Sequence, residues 1–237
     1  MDEERKQWVK EAISKSLEDD ESNRIVLLTN LFLTYKPSET YIDEKLEELQ
    51  NLYEEMNYLN EGFDIAKIFN SQGGMKHNLE FLECSPHDDL KTEAANLIGN
   101  STHNNPVVQM TLLENNALEL LVTIVKTSKS EQLVTKCLYA LSTLVGGNKF
   151  AEKKICDLGD SVFFTALMGH TNEKIRVKAT FLLTKLITSD NILPRNKLVT
   201  AELIKKTLEF IKEHNQSWHG HLFNLLIPCL SNTKPSK

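Results

Sequence analysis

His219 and His221 form a His-x-His pair with Cys229 nearby, and imidazole together with thiolate is a ligand set for zinc. On a helix, residues two apart point in different directions, so the pair cannot easily share one ion. The four cysteines, Cys84, Cys137, Cys156 and Cys229, are widely separated. Three of them sit in apolar helical patterns where cysteine behaves as a small hydrophobe, and no Cys-x-x-Cys pair or disulfide framework is visible. Gly73-Gly74 lacks the following glycine and the strand of a phosphate-binding loop and reads as a turn between helices. No serine, cysteine or carboxylate pair has a neighbouring base at recognisable spacing, and no helical histidine motif for zinc hydrolysis occurs. The expectation is a chain that is not an enzyme and carries no metal or cofactor.

What the sequence does offer is a surface for recognition. Lys136, Tyr139 and Thr143 are spaced by three and four within an apolar helix, so they share its outward stripe. Lys178, Phe181 and Lys185 repeat that spacing 42 residues later, and His221, Asn224 and Pro228 repeat it again after 43; Glu93, Asn96 and Asn100 are the equivalents 43 residues earlier. Aromatic side chains ringed by charge have the composition of an interface hot spot. The candidate partner-binding set is Lys136, Tyr139, Thr143, Lys178, Phe181, Lys185, His219 and His221. The competing reading is that both rings fill gaps between helices while the lysines are solvated.

The elements that position these residues recur. Glu93 to Ile98, Lys136 to Leu141 and Lys178 to Leu183 superpose without gaps, and Leu222, Leu225 and Leu226 fall on Ala179, Leu182 and Leu183 in a weaker fourth copy. A period of about 40 to 47 residues indicates HEAT or armadillo units. Each period reads as a short helix, a turn, a second helix and a long third helix, which favours armadillo. Asn105 before Pro106 supplies an N-cap and a first-turn proline, Asn115-Asn116 breaks the chain, Ser130 caps the third helix, and Gly146-Gly147 ends it. The predicted architecture is all-α, an armadillo-repeat right-handed solenoid of about four repeats behind an N-terminal helical cap.

A single repeat cannot bury its own apolar face, so repeats must stack and the ends need caps. Residues 1–72 read as the N-terminal helical cap. Trp8, Val9, Ala12, Ile13 and Leu17 lie on one face, Ile25, Leu28, Leu31 and Phe32 on another, and Ile42, Leu46, Leu49, Tyr53 and Met56 on a third. Residues 73–230 read as the repeats and 231–237 as a polar tail, with Pro228 and Pro235 leaving the fourth repeat truncated.

Met1 to Glu61 carries 16 acidic and 7 basic residues, while Gly62 to Lys237 carries 17 and 20. The overall charge of −6, without basic clusters interleaved with aromatics, argues against nucleic acid and for protein partners. Met1 to Lys10 is charged and no run of about 18 apolar residues occurs, so neither a signal peptide nor a membrane span is expected. The expected protein is cytoplasmic and, as a capped solenoid, monomeric.

The run from Ala94-Ala95 through Ile98-Gly99 to Asn104-Asn105-Pro106 resembles a signature of the armadillo-type nucleotide exchange factors of heat shock protein 70, the heat shock protein 70 binding protein family. The similarity continues along Arg176 to Leu183, in Glu213-His214 with Trp218 to His221, and in Glu3 to Trp8. The resemblance implies a co-chaperone whose concave face clasps the chaperone's nucleotide-binding domain and speeds ADP release. The alternative is an armadillo scaffold binding another protein or a peptide. Peptide-binding armadillo proteins place tryptophan and asparagine on the concave ladder. Here those positions hold Asn96, Tyr139, Phe181 and Asn224, then Asn100, Thr143, Lys185 and Pro228, a set better suited to a folded partner. Two departures from the family stand out: the longer segment from Asn57 to Gln72, and the short chain before Glu3 where relatives carry a flexible segment.

Overall fold

The computed structural model describes residues 20–213 and 219–231. The predicted face through Trp8, Val9, Ala12, Ile13 and Leu17, the residues His214 and Trp218, and the tail after Ser231 lie outside the described residues. Every described element is helical. Helices α1 (Glu21–Phe32) and α2 (Asp43–Leu59) precede four triplets. The triplets are α3 (Phe63–Ser71), α4 (Gly74–Cys84) and α5 (Asp88–Thr102); α6 (Pro106–Glu114), α7 (Ala117–Thr127) and α8 (Glu131–Leu144); α9 (Lys149–Leu158), α10 (Ser161–Met168) and α11 (Glu173–Thr188); and α12 (Ile192–Leu198), α13 (Ala201–Glu213) and α14 (His219–Ser231). The fold is an all-α armadillo solenoid. Two compact units divide at Asn115/Asn116.

The first triplet opens at Phe63, inside the Asn57 to Gln72 segment. The apolar positions Ile65, Ala66 and Phe69 are buried on one side of α3. Gly73 then joins α3 to α4 with φ +84°, a left-handed conformation that glycine adopts without penalty, and a Cβ on Gly74 would sit 2.4 Å from the Phe69 ring. Asn116, 43 residues on, takes the same left-handed conformation between α6 and α7 at φ +58°. The third triplet departs from this pattern, with Gly159 extended and Asp160 capping α10 at Phe163 N (2.9 Å).

The fourth triplet is complete rather than truncated, because α14 runs through Pro228 to Ser231. A proline inside a helix forfeits one backbone hydrogen bond. Burial of Leu225, Leu226 and Cys229 on either side of it offsets that loss, and the Pro228 carbonyl accepts from the Arg195 guanidinium. In the N-terminal helices Ile25, Leu28, Leu31 and Phe32 are buried as the pattern predicts, as are Leu49, Tyr53 and Met56. Ile42 instead precedes α2 as its N-cap and is exposed. Phe32 is the centre of an aromatic cluster, with Tyr53, Phe81 and His77 at ring-centroid distances of 5.2, 5.2 and 5.0 Å.

One residue type sets the register between triplets. Asn105, Asn148 and Asn191 stand 43 residues apart, each the N-cap of the short first helix of its triplet. Asn148 Oδ1 accepts from Phe150 N and Ala151 N at 3.1 Å, and Asn191 Oδ1 from Leu193 N at 3.3 Å. The other side of the amide reaches backwards. Asn105 Nδ2 donates to the Phe63 carbonyl (3.1 Å) and Asn191 Nδ2 to the Lys149 carbonyl (3.3 Å), in each case the first residue of the preceding first helix. Such a bond fails if one helix slides past the next.

Replacing Asn191 with Ala removes both functions, and replacing it with Asp keeps the cap but not the donor. Loss of an N-cap costs about 1 kcal/mol and loss of the hydrogen bond about another 1 kcal/mol. Chemical denaturation should therefore rank the stabilities wild type, Asn191→Asp, Asn191→Ala; equal stability of the Asp variant and wild type would show that the backward bond contributes nothing.

Candidate functional site

In the second unit the third helices α8, α11 and α14 lie side by side, with α11 packed against both neighbours. Their apolar positions face inward: Leu133, Cys137, Leu138 and Leu141 on α8, Ala179, Leu182, Leu183 and Leu186 on α11, and Leu222 and Leu225 on α14 are all buried. That burial leaves the opposite stripe at the surface. Phe181 is 51% exposed in the middle of it. Lys136, Tyr139, Lys178, Lys185, His219 and His221 are half-buried.

These side chains are held in place. Lys178 Nζ lies 5.1 Å from the centroid of the Tyr139 ring, a cation–π contact from α11 to α8 that orients the ring and leaves the ammonium at the surface. Lys185 reaches further, donating to the Ser142 carbonyl at 2.9 Å. At the end of α8 Val145 N bonds to the Leu141 carbonyl and Gly146 N to the Thr143 carbonyl, and the Lys185 ammonium takes the Ser142 carbonyl between them, at the negative end of the helix. Burial holds the Lys185 ammonium below the ordinary lysine value, against the opposing field of Glu152. Gly146 makes the approach possible, since a Cβ there would lie 2.4 Å from Lys185 Nζ. Thr143 shares the stripe by periodicity but is only 6% exposed. Its hydroxyl bonds to the Ala140 carbonyl at 3.0 Å, within its own helix, which satisfies the group where it is buried.

The equivalent stripe in the first unit is knitted shut. Asn57, 6% exposed on α2, takes up all three positions. It donates to Glu93 Oε2 (3.1 Å), and its Oδ1 accepts from Asn96 Nδ2 (3.0 Å) and Asn100 Nδ2 (3.1 Å). The sequence ladder pointed to these residues as equivalents but gave no sign that Asn57, 43 residues before Asn100 in the segment that reads as the cap, would bind all three. Gly146 and the Ser142 carbonyl were equally invisible, because a backbone acceptor has no residue-type signature.

The His-x-His pair and Cys229 do not form a recognisable metal centre: among the described residues no group of three or more His, Cys, Asp or Glu is disposed to hold an ion. His219 Nε2 is buried with no hydrogen-bond partner among the described residues. The Cys229 thiol is pushed up by burial, partly countered by Arg195, and burial pushes the Cys156 thiol up to about 11. Only thiolates react quickly. At pH 8 a thiol reagent should therefore label exposed Cys84 in the native protein, and Cys137, Cys156 and Cys229 only after denaturation. Rapid labelling of two or more sites in the folded chain would contradict this arrangement.

Comparison with known proteins fits the same fold and places the sequence. A designed armadillo repeat protein solved with a peptide matches with a TM-score of 0.74 at 17% identity, over 92% of this chain and 85% of its own. The Hsp70 nucleotide exchange factor FES1 of Eremothecium gossypii is 32% identical over 155 residues, covering 64% of this chain and 52% of the relative. The human Hsp70-binding protein 1 is 27% identical over 244 residues, covering 98% of this chain and 66% of the relative. This chain thus spans between half and two thirds of the length of these relatives. The family profile described as SIL1/FES1/HPBP1 C-terminal domain matches residues 65–214, from the buried face of α3 to just beyond α13. The chain belongs to the SIL1/FES1/HPBP1 C-terminal domain family.

Proposed function

We propose that this chain is a co-chaperone that binds the nucleotide-binding domain of an Hsp70 and accelerates release of ADP. The observation that carries the reading is the family match over residues 65–214 together with relatives named as an Hsp70 nucleotide exchange factor and as Hsp70-binding proteins. The stripe on α8, α11 and α14 is the contact face in this proposal. Phe181 is its exposed anchor, the Lys178–Tyr139 pair spans α11 and α8, and Lys136, His219 and His221 complete the proposed contact set. Lys185 and Thr143 act from beneath: Lys185 fixes the end of α8 against α11, and Thr143 packs under Tyr139's turn.

The chain's role in this account is binding rather than bond-making. An exchange factor that binds the open form of the chaperone better than the closed, ADP-holding form lowers ADP affinity by the same factor by which ADP lowers its own. Such couplings are about 1 to 3 kcal/mol, within reach of an interface of about 1,600 Å². A cation–π pair presenting a positive rim around an aromatic anchor suits a partner surface with exposed carboxylates and an apolar recess. Free thiols at Cys84, Cys137, Cys156 and Cys229 suit a reducing compartment, and the cytoplasm is the proposed site of action. No helix of the described residues is long and apolar enough to cross a membrane.

The direct test is stopped-flow release of a fluorescent ADP analogue from a purified Hsp70. The protein should accelerate release, Phe181→Ala and Lys178→Glu should each reduce the acceleration at least tenfold at subsaturating concentration, and both variants should retain the native circular dichroism and melting temperature. No acceleration at a large molar excess of protein over chaperone would overturn the reading in favour of an armadillo scaffold with another protein partner.

A further inference from the structure

A second exposed position recurs on different helices. The position after the first residue of each short first helix is apolar and exposed in three successive triplets: Val107 at 53%, Phe150 at 61% and Leu193 at 46%, spaced by 43 residues. Ile192, beside Leu193, is 64% exposed. None of these residues supports the core, which in α9 and α12 is formed by Ala151, Ile155, Cys156 and Leu198. Where such residues come from helices that pack together, they give the apolar part of a docking site.

Within the second unit the geometry is specific. Helices α9 and α12 pack together, and the Asn191 Nδ2 to Lys149 carbonyl bond of 3.3 Å ties their first residues. Phe150 follows one end of that bond and Ile192 and Leu193 the other, so all three exposed residues lie in the first turns of two helices that pack together. Their charged surroundings are unbalanced. Exposed Lys149, Lys153 and Lys197 stand against Asp157, which pairs with Lys197, and exposed Asp190. Lys154 is matched by Glu119 at 2.5 Å, Glu152 is buried with its carboxylate accepting from Ser189 Oγ at 2.8 Å, and Arg195 is occupied by the Pro228 carbonyl. One positive charge is left in excess beside the apolar residues, with Lys149 and Lys153 on the same helix as Phe150.

We propose that the α9–α12 edge is a docking site for an acidic protein segment bearing bulky apolar side chains, with Phe150, Ile192 and Leu193 as the apolar floor and Lys149 and Lys153 as the charged rim. Complementary charge selects the partner and fixes its register, while the apolar floor holds it. An anionic membrane shares part of this chemistry. The patch, however, is assembled from the first turns of two short helices with Asp157 and Asp190 in its margin, whereas a membrane-binding element presents one long amphipathic face with basic residues alone on its polar side. The site is independent of the α8, α11 and α14 stripe and of the reading attached to it.

Fluorescence anisotropy on the whole chain tests the proposal. The probe is a labelled twelve-residue peptide in which glutamates and aspartates flank one phenylalanine and one leucine, compared with the same peptide carrying lysine at every acidic position and with vesicles containing phosphatidylserine. The acidic peptide should bind saturably and the basic one should not. Phe150→Ser and Ile192→Ser should each weaken binding at least tenfold, Lys149→Glu with Lys153→Glu should weaken it and flatten its salt dependence, and Phe181→Ala should leave it unchanged. Both surface serine variants replace exposed side chains, and their melting temperatures report whether they fold. Absence of saturable peptide binding, loss of binding only in the Phe181 variant, or binding to vesicles but not to the peptide would each overturn the assignment.

Discussion

An asparagine that faces two ways fixes this structure. At Asn105 and Asn191 the side-chain oxygen starts a helix while the side-chain nitrogen holds the first residue of the helix one triplet back. Hydrophobic burial favours stacking but is indifferent to small slides, because leucines on one helix meet equivalent leucines on the next. A directional bond between fixed positions removes that freedom. With the register set, every surface feature with the repeat period falls into line, including both the third-helix stripe and the apolar positions at Phe150 and Leu193.

The same logic operates at the other ends of the helices, with charge in place of the amide. Lys185 reaches the Ser142 carbonyl at the end of α8, Lys126 the Leu158 carbonyl at the end of α9 (2.6 Å), Lys91 the Glu83 carbonyl at the end of α4 (3.3 Å), and Arg195 the Pro228 carbonyl near the end of α14. Each places a cation where unpaired carbonyls and the helix dipole concentrate negative potential. Part of the cationic surface is thereby committed to the fold. In the third-helix stripe the division is visible in one helix: Lys185 is drawn down to a carbonyl, while Lys178 lies across Tyr139 and remains at the surface.

Much of this was legible in the sequence because the repeat multiplies each signal. The period, the cap at Asn105, the breaks at Gly73 and Asn116, and the outward stripe all follow from residue type and spacing. Features that rest on a single atom or on context were not. Helix α3 carries the right apolar residues, yet it lies in a segment with polar stretches on both sides and no N-cap side chain to announce it. Pro228 reads as a stop, and only the burial of its neighbours carries the helix past it. Thr143 reads as exposed because it is polar, whereas its hydroxyl is satisfied inside its own helix. Asn57 stands one period before Asn100, but the period does not say that its amide turns onto Glu93, Asn96 and Asn100 and closes the first unit's stripe.

The two surfaces differ in what they offer: one an aromatic anchor braced by a cation–π contact, the other an apolar edge with a positive rim. Assigning the chaperone to the first is the central claim, and amide hydrogen exchange on the chain with and without an Hsp70 nucleotide-binding domain tests it directly. The account predicts slowed exchange in α8, α11 and α14 with α9 and α12 unaffected. Protection at α9 and α12 alone, or no protection at saturating domain, would contradict it.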